Sequence, residues 1–175
     1  DKQRIMVFKI NSKNPKSFYF TTLLYDNALQ LQKKDRLTLG MEERNDFLTD
    51  FYLTNEGDLV FGKLIRQNSN DYISRVYLIT KYADTASFAI KDIGTGDRIL
   101  DEVKLKVDNN NKKLLINAFY YKQKRGNIEG LYSVGWNKVT NEKVSEMVTV
   151  FDDELRKKKK GRDANTRMAF NDFFI

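Results

Sequence analysis

Short apolar runs alternate with clusters of Asn, Asp and Gly along most of this chain. The clearest case is Val103 to Lys138, VKLKVDNNNKKLLINAFYYKQKRGNIEGLYSVGWNK. The pattern predicts three antiparallel strands joined by two tight turns. Asp108-Asn109-Asn110-Asn111 forms the first turn, since Asn and Asp tolerate positive φ and bond their own backbone. Arg125-Gly126-Asn127 forms the second, with Gly supplying the backbone freedom. Leu114 to Tyr121 is apolar, aromatic and free of Gly and Pro, as a central strand requires.

The same rhythm runs through the preceding residues. Arg4 to Ile10 and Ser17 to Tyr25 (SFYFTTLLY) read as strands, separated by a turn over Asn11 to Pro15, the only proline. Asp26-Asn27 is a turn. Leu29 to Leu39 carries Leu at period two and reads as one bent strand or two short ones. Asp46 to Leu53 and Leu59 to Arg66 flank the hairpin turn Asn55-Glu56-Gly57-Asp58. Tyr72 to Tyr82, Phe88 to Ile93 and Ile99 to Val107 complete the series, with turns at Asn68 to Asp71 and Gly94 to Asp97.

Residues 141–160 break the rhythm. Val144, Met147, Val148, Phe151 and Leu155 fall at helical spacing. Asn141 suits an N-cap, Asp152/Arg156, Asp153/Lys157 and Glu154/Lys158 are acid-before-base pairs at i, i+4, and Gly161 suits a stop. The spacing predicts one amphipathic C-terminal helix.

The fold class expected is therefore mainly β: a single domain over residues 1–175 built as an antiparallel meander of short strands, either propeller-like blades or a closed barrel or sandwich. Phe170 to Ile175 looks like a second copy of Phe47 to Leu53, here without a turn and return strand. With Asp1 in place of Met, this suggests a piece of a longer repeat protein. It also suggests an open apolar edge able to recruit a second copy, with Arg4 to Ile10 as a further edge.

The runs DFYLTNEGDLVFG, KVDNNNKKLLINAFYY and RGNIEGLYSVGW resemble those of large β-repeat proteins of Bacteroidota. The likeness extends over Phe47 to Ile175. It implies a propeller-like architecture and export, hence a periplasmic, outer-membrane-associated or secreted location. It carries no chemistry to transfer. The paired glycines of kelch repeats and the Trp-Asp of WD40 repeats are missing, so the blade type stays open.

Composition narrows the chemistry. There is no Cys and no His. Cys/His zinc sites, thiol nucleophiles and Ser-His-Asp arrangements are excluded, while carboxylate, Lys and Tyr chemistry stays open. No apolar run reaches the roughly 20 residues of a membrane-spanning helix. The net charge is +7, of which Arg156, Lys157, Lys158, Lys159, Lys160 and Arg162 supply +6, leaving +1 elsewhere. One basic helix end is not a basic face, so nucleic acid is disfavoured as a partner.

Each candidate site has a plainer reading beside it. Lys157, Lys158, Lys159, Lys160 and Arg162 form a candidate anion-binding run, or simply complement a helix C-terminus. Tyr120, Tyr132 and Trp136, with Tyr121, form a candidate stacking platform for sugar or single-stranded nucleic acid, or core packing, which strand alternation favours. Gly94-Thr95-Gly96-Asp97 lacks the third glycine and Lys-Ser/Thr of a phosphate loop and reads as a turn. Asp108 to Asn111 lacks the calcium-loop glycine, and Lys112 stands where an oxygen ligand belongs. Asp97, Asp101, Glu102 and Glu129 are candidate hydrolytic carboxylates, but no spacing selects a pair.

The reading that follows is a non-catalytic β-repeat binding or scaffold module of the bacterial cell envelope, with a protein or glycan partner and no cofactor or metal. A carboxylate-based hydrolase, such as a carbohydrate-active module, is the alternative. A binder of anionic surfaces or nucleic acid through the basic run is the third.

Overall fold

The computed structural model describes residues 4–41, 46–66, 72–110, 112–123, 126 and 128–152. Those residues are mainly β, in antiparallel pairings, and contain no helix. The chain divides into two compact units, Asp1–Ile65 with Arg75–Ile93, and Arg66–Ser74 with Gly94–Ile175.

In the first unit, β1 (Arg4–Asn14), β2 (Ser17–Asp26) and β3 (Leu31–Gly40) form a three-stranded antiparallel sheet in that order. Register follows the period-two pattern. Ile10 opposes Phe20, which opposes Leu37, while Thr22 opposes Asp35. Phe20, Thr22, Leu24, Asp35, Leu37 and Leu39 are all buried. The turn predicted over Asn11 to Pro15 is shorter than expected, because β1 runs on to Asn14 and the Asn14 side-chain oxygen accepts from the Lys16 N–H. Leu29 belongs to a turn rather than a strand. It sits at φ 60°, in a loop where the Asp26 carboxylate accepts from the N–H groups of Ala28 and Gln30. From Leu31 onward β3 is one strand, not two.

The predicted strand Asp46 to Leu53 is instead two short pieces, β4 (Phe47–Leu48) and β5 (Tyr52–Leu53), both paired with β6 (Leu59–Arg66). The break has a cause in the sequence. Gly62 brings no side chain, and Thr49 fills that space, its hydroxyl accepting from the Gly62 N–H at 2.6 Å. Phe51 then turns inward among Phe8, Phe20 and Phe61. Gly57, at φ 96°, closes the hairpin into β6 as expected. β7 (Ile73–Lys81) neighbours β6, and β8 (Ala89–Asp92) pairs with β7. The apolar core joins Phe20, Leu37, Leu39, Met41, Leu59, Phe61 and Ile79.

The second unit is a meander of four neighbouring strands: β9 (Ile99–Asp108), β10 (Lys113–Tyr121), β11 (Ile128–Asn137) and β12 (Glu142–Val150). Ile73, at the start of β7, pairs with Leu100 in the same unit. Leu114 lies between Val107 and Trp136, and Ile116 between Leu105 and Val134, which places the apolar alternates on one face. Among the described residues neither sheet closes on itself, so the closed-barrel alternative is not what forms.

β12 replaces the first half of the predicted helix. The helical spacing of Val144, Met147 and Val148 is real, but Val144, Val148, Thr149 and Val150 are β-branched and favour extended backbone. The preceding turn decides the matter. Asn137 accepts from the N–H groups of Val139 and Thr140, and Asn141 adopts φ 58°. That is the left-handed conformation of a hairpin turn, not of a helix cap. Gly130 and Gly135 on β11 clear the space β12 needs. A Cβ on Gly130 would collide with the Thr149 carbonyl oxygen, and one on Gly135 with the Ser145 hydroxyl. Phe151 and Asp152 follow β12 without forming a helix, the Phe151 N–H donating to the Glu129 carbonyl, and residues 153–160 and Phe170 to Ile175 lie outside the described residues.

Candidate functional site

Two lysines enter the interior of the first unit on adjacent strands. Lys63 sits in mid-β6, within a run from Leu59 to Ile65 that is otherwise apolar and buried throughout. Its Nζ donates to the Gly40 carbonyl at 3.0 Å, lies 3.6 Å from the Asp46 carboxylate, and stands 5.7 Å from the Tyr77 ring centroid. Lys81, at the end of β7, is 0% exposed. Its Nζ is 2.7 Å from Asp35 and 3.1 Å from the Tyr82 carbonyl. The contact with Asp35 is short but poorly aligned for a hydrogen bond, so it is an ion pair held mainly by charge. Asp35 reaches the interior because it occupies the same strand face as Leu37 and Leu39. Each ammonium meets a carboxylate and a carbonyl, the arrangement a buried charge needs in order to persist.

A second cluster lies in the second unit, where the loop Gly94 to Arg98 meets β12. Gly94 and Gly96 take φ 66° and 64°, so the predicted turn is a turn. Its carbonyls face two cations. Gly94 accepts from Lys143 Nζ at 3.3 Å, and Thr95 accepts from Arg98 Nη1 at 3.0 Å. The Glu146 carboxylate joins both, 2.9 Å from Lys143 and 3.4 Å from Arg98. Beneath it lies Tyr132, its ring 4.8 Å from the Arg98 guanidinium. Burial, reinforced by the neighbouring Glu146 charge, pushes the Tyr132 hydroxyl up to about 12. That hydroxyl lies near Glu146 yet completes no hydrogen bond of standard geometry. Glu146 itself is held below the usual carboxylate range, chiefly by its hydrogen bond to Lys143.

Of the aromatic residues singled out from the sequence, three are interior and Tyr121 is half-buried. Tyr120, Tyr132 and Trp136 are buried, and the Trp136 N–H donates to the Asn141 side-chain oxygen at 3.1 Å. A stacking platform needs an open ring face, which these three do not present. Lys157, Lys158, Lys159, Lys160 and Arg162 lie outside the described residues. The candidate carboxylates are dispersed. Asp101 accepts from the Tyr121 hydroxyl at 3.0 Å, and Glu102 is 3.6 Å from Lys104. Among the described residues no group of three or more acidic side chains is placed to hold a metal ion. No helix among them is long and apolar enough to cross a membrane.

The feature that sequence reasoning missed is the outer strand. Along β12 nearly every side chain is exposed, including Val144, Met147, Val148 and Val150. Its one partner among the described residues is β11. The missed signal was the Asn137 to Asn141 turn, which converts an amphipathic helix pattern into an apolar edge.

No family model matches the chain, and no curated protein does. Among solved structures it is similar to a chimera of apocarotenoid oxygenase (ACO) and RPE65, with 14% identity and a TM-score of 0.47 over 82% of this chain and 34% of that one. A mutant of the Synechocystis apocarotenoid oxygenase gives 14% identity and 0.48 over 83% and 35%. The cobalt-substituted Synechocystis enzyme gives 14% and 0.46 over 82% and 34%. The chain thus spans about a third of the length of these enzymes. At TM-scores below 0.5 the likeness assigns no chemistry to it.

Proposed function

We propose that this chain is a non-catalytic β-repeat module that binds or scaffolds a partner in the bacterial cell envelope, with propeller-like blades. The observation that carries the reading is β12, an outer strand with four apolar side chains in solvent and one strand neighbour among the described residues. Such an edge is a template for strand addition. Two further points support the reading. The charged groups of the buried clusters are spent on one another, as in structural ion pairs. The four-stranded meander β9 to β12 has the strand order of a propeller blade. The location rests on the resemblance of Phe47 to Ile175 to exported repeat proteins.

A photo-crosslinking residue placed at Val148 and produced in a bacterial envelope tests this. Position 148 is expected to give discrete adducts, and the exposed position Lys122, on a turn, none. Equal labelling at the two positions overturns the binding reading. Hydrolysis of glycosides that is lost on neutralising one carboxylate overturns its non-catalytic part.

A further inference from the structure

The chain has a second apolar edge. β1 is the outer strand of the first unit's sheet and pairs, among the described residues, with β2 alone. It shows a clean alternation. Met6, Phe8 and Ile10 pack against the core cluster, while Ile5 (40% exposed) and Val7 (54%) face outward with Lys9. On β12 the exposed residues on one strand face include Val148 (41%) and Val150 (58%), with Glu146.

Laid antiparallel, the two edges match. Ile5 faces Val150, Val7 faces Val148, and Lys9 faces Glu146; on the other face Phe8 meets Met147 and Ile10 meets Ser145. Over residues 5–10 each apolar side chain faces Val, Met, Thr or Ser, and Lys9 meets Glu146, whereas Val144 falls opposite Asn11. Register is specific. A slip of one residue one way sets Phe8 against Glu146, and the other way Ile10 against Glu146. Either slip also separates Val7 from Val148.

We infer that β12 of one copy adds antiparallel to β1 of a second copy, in the register Val7 to Val148 and Lys9 to Glu146. The inference rests on the binding reading above and names the partner, a second copy of this chain. The occupant is the chain itself because it carries both halves of the complementary pair. The contact is head-to-tail: the surface used on one copy differs from that used on the next, so each pair leaves one free edge at either end. Assembly therefore continues beyond the dimer.

The test uses the 175-residue chain and sedimentation velocity over a range of concentrations. The average mass is expected to rise past that of a dimer. Val7→Lys and Val148→Lys each place a charge in the pairing edge, and each is expected to weaken association about tenfold or more. Each variant keeps one good edge, so an equimolar mixture is expected to form one-to-one dimers and nothing larger. Lys9→Glu, which alters no apolar contact, is expected to weaken association about fivefold. Circular dichroism melts confirm that the variants are folded, and Lys9→Glu serves as readout should either Lys variant unfold.

Three results overturn the inference. One is a strictly monomeric wild type. Another is association that survives Val7→Lys but not Val148→Lys, with no rescue on mixing, which marks pairing of β12 with β12. The last is association unchanged by all three variants. If crosslinks at position 148 go to a different protein while the chain stays monomeric, the inference fails and the binding reading stands. If position 148 captures nothing, the binding reading fails as well.

Discussion

The two units handle charge in opposite ways, although each leaves an apolar edge strand in solvent. The first buries charge: Lys63 and Lys81 are interior, each beside an aspartate, next to a cluster of phenylalanines. The second keeps its main ion-pair cluster of Arg98, Lys143 and Glu146 partly in solvent and exposes the valines of β12. A buried ion pair contributes little net stability but penalises any arrangement that separates the partners. An exposed apolar edge contributes nothing until something covers it. Both units therefore offer an edge for an encounter, through Ile5 and Val7 on β1 and the valines on β12, and the first adds buried ion pairs that penalise other packings.

Breaking the buried charge should have the largest effect. Asp35→Ala strands the Lys81 ammonium and is expected to destabilise the chain by about 3–5 kcal/mol in urea titration. Replacing the pair together, Asp35→Leu with Lys81→Met, should recover most of the loss. A double variant as unstable as the single one would show that the pair itself, not the stranded charge, carries the stability.

In the second unit the largest expected effect is steric. Gly130→Ala drives a methyl into the Thr149 carbonyl and should cost about 1–3 kcal/mol. The damage should be local. Amide exchange is expected to accelerate along β12 and to remain slow in β2 and β6. Acceleration throughout would mean that the two regions are not independent in stability.

The Tyr132 hydroxyl sharpens the contrast through pH. Its pKa of about 12 in the folded chain lies above the ordinary value near 10. The folded state therefore holds a proton that the unfolded chain releases. The associated stability is fully present below pH 10 and is lost as pH rises from 10 toward about 12. Tyr132→Phe should lack that alkaline fall, and near pH 7 it should cost little, because the hydroxyl's contact with Glu146 departs from standard hydrogen-bond geometry. Melts at pH 7 and across the alkaline range read both. The smallest effect is expected at the surface. Glu146→Gln weakens exposed pairs with Lys143 and Arg98, worth at most about 1 kcal/mol, and should fade further in high salt.

Much of this was legible in the sequence, for identifiable reasons. The hairpins around Gly57 and Asp108 were visible because turn chemistry is local. β2, β6, β9, β10 and β11 were visible because apolar alternation or an unbroken apolar run marks them. β12 was not, because its apolar residues fit helical spacing, and the positive φ at Asn141 that selects the hairpin does not show in a side-chain pattern. The split between β4 and β5 was hidden because it depends on Thr49 meeting Gly62, residues distant in sequence. The buried lysines follow the same logic. Asp35 and Lys63 stand in apolar positions of their strands, a sequence signal whose meaning appears only once each partner is placed. The exposed aromatic reading of Tyr120, Tyr132 and Trp136 gave way to burial because their strand faces are core faces.

The pairing of Asp35 with Lys81 also bears on the speed of folding. The strand pairings from β9 to β12 join neighbours in sequence, so those pairings close short loops. The ion pair closes a far longer one, and that entropy must be met before the contact can form. Such a contact belongs late on the folding path. Losing it should leave the refolding rate nearly unchanged and raise the unfolding rate, so that Asp35 and Lys81 set how long the first unit stays folded more than how quickly it gets there.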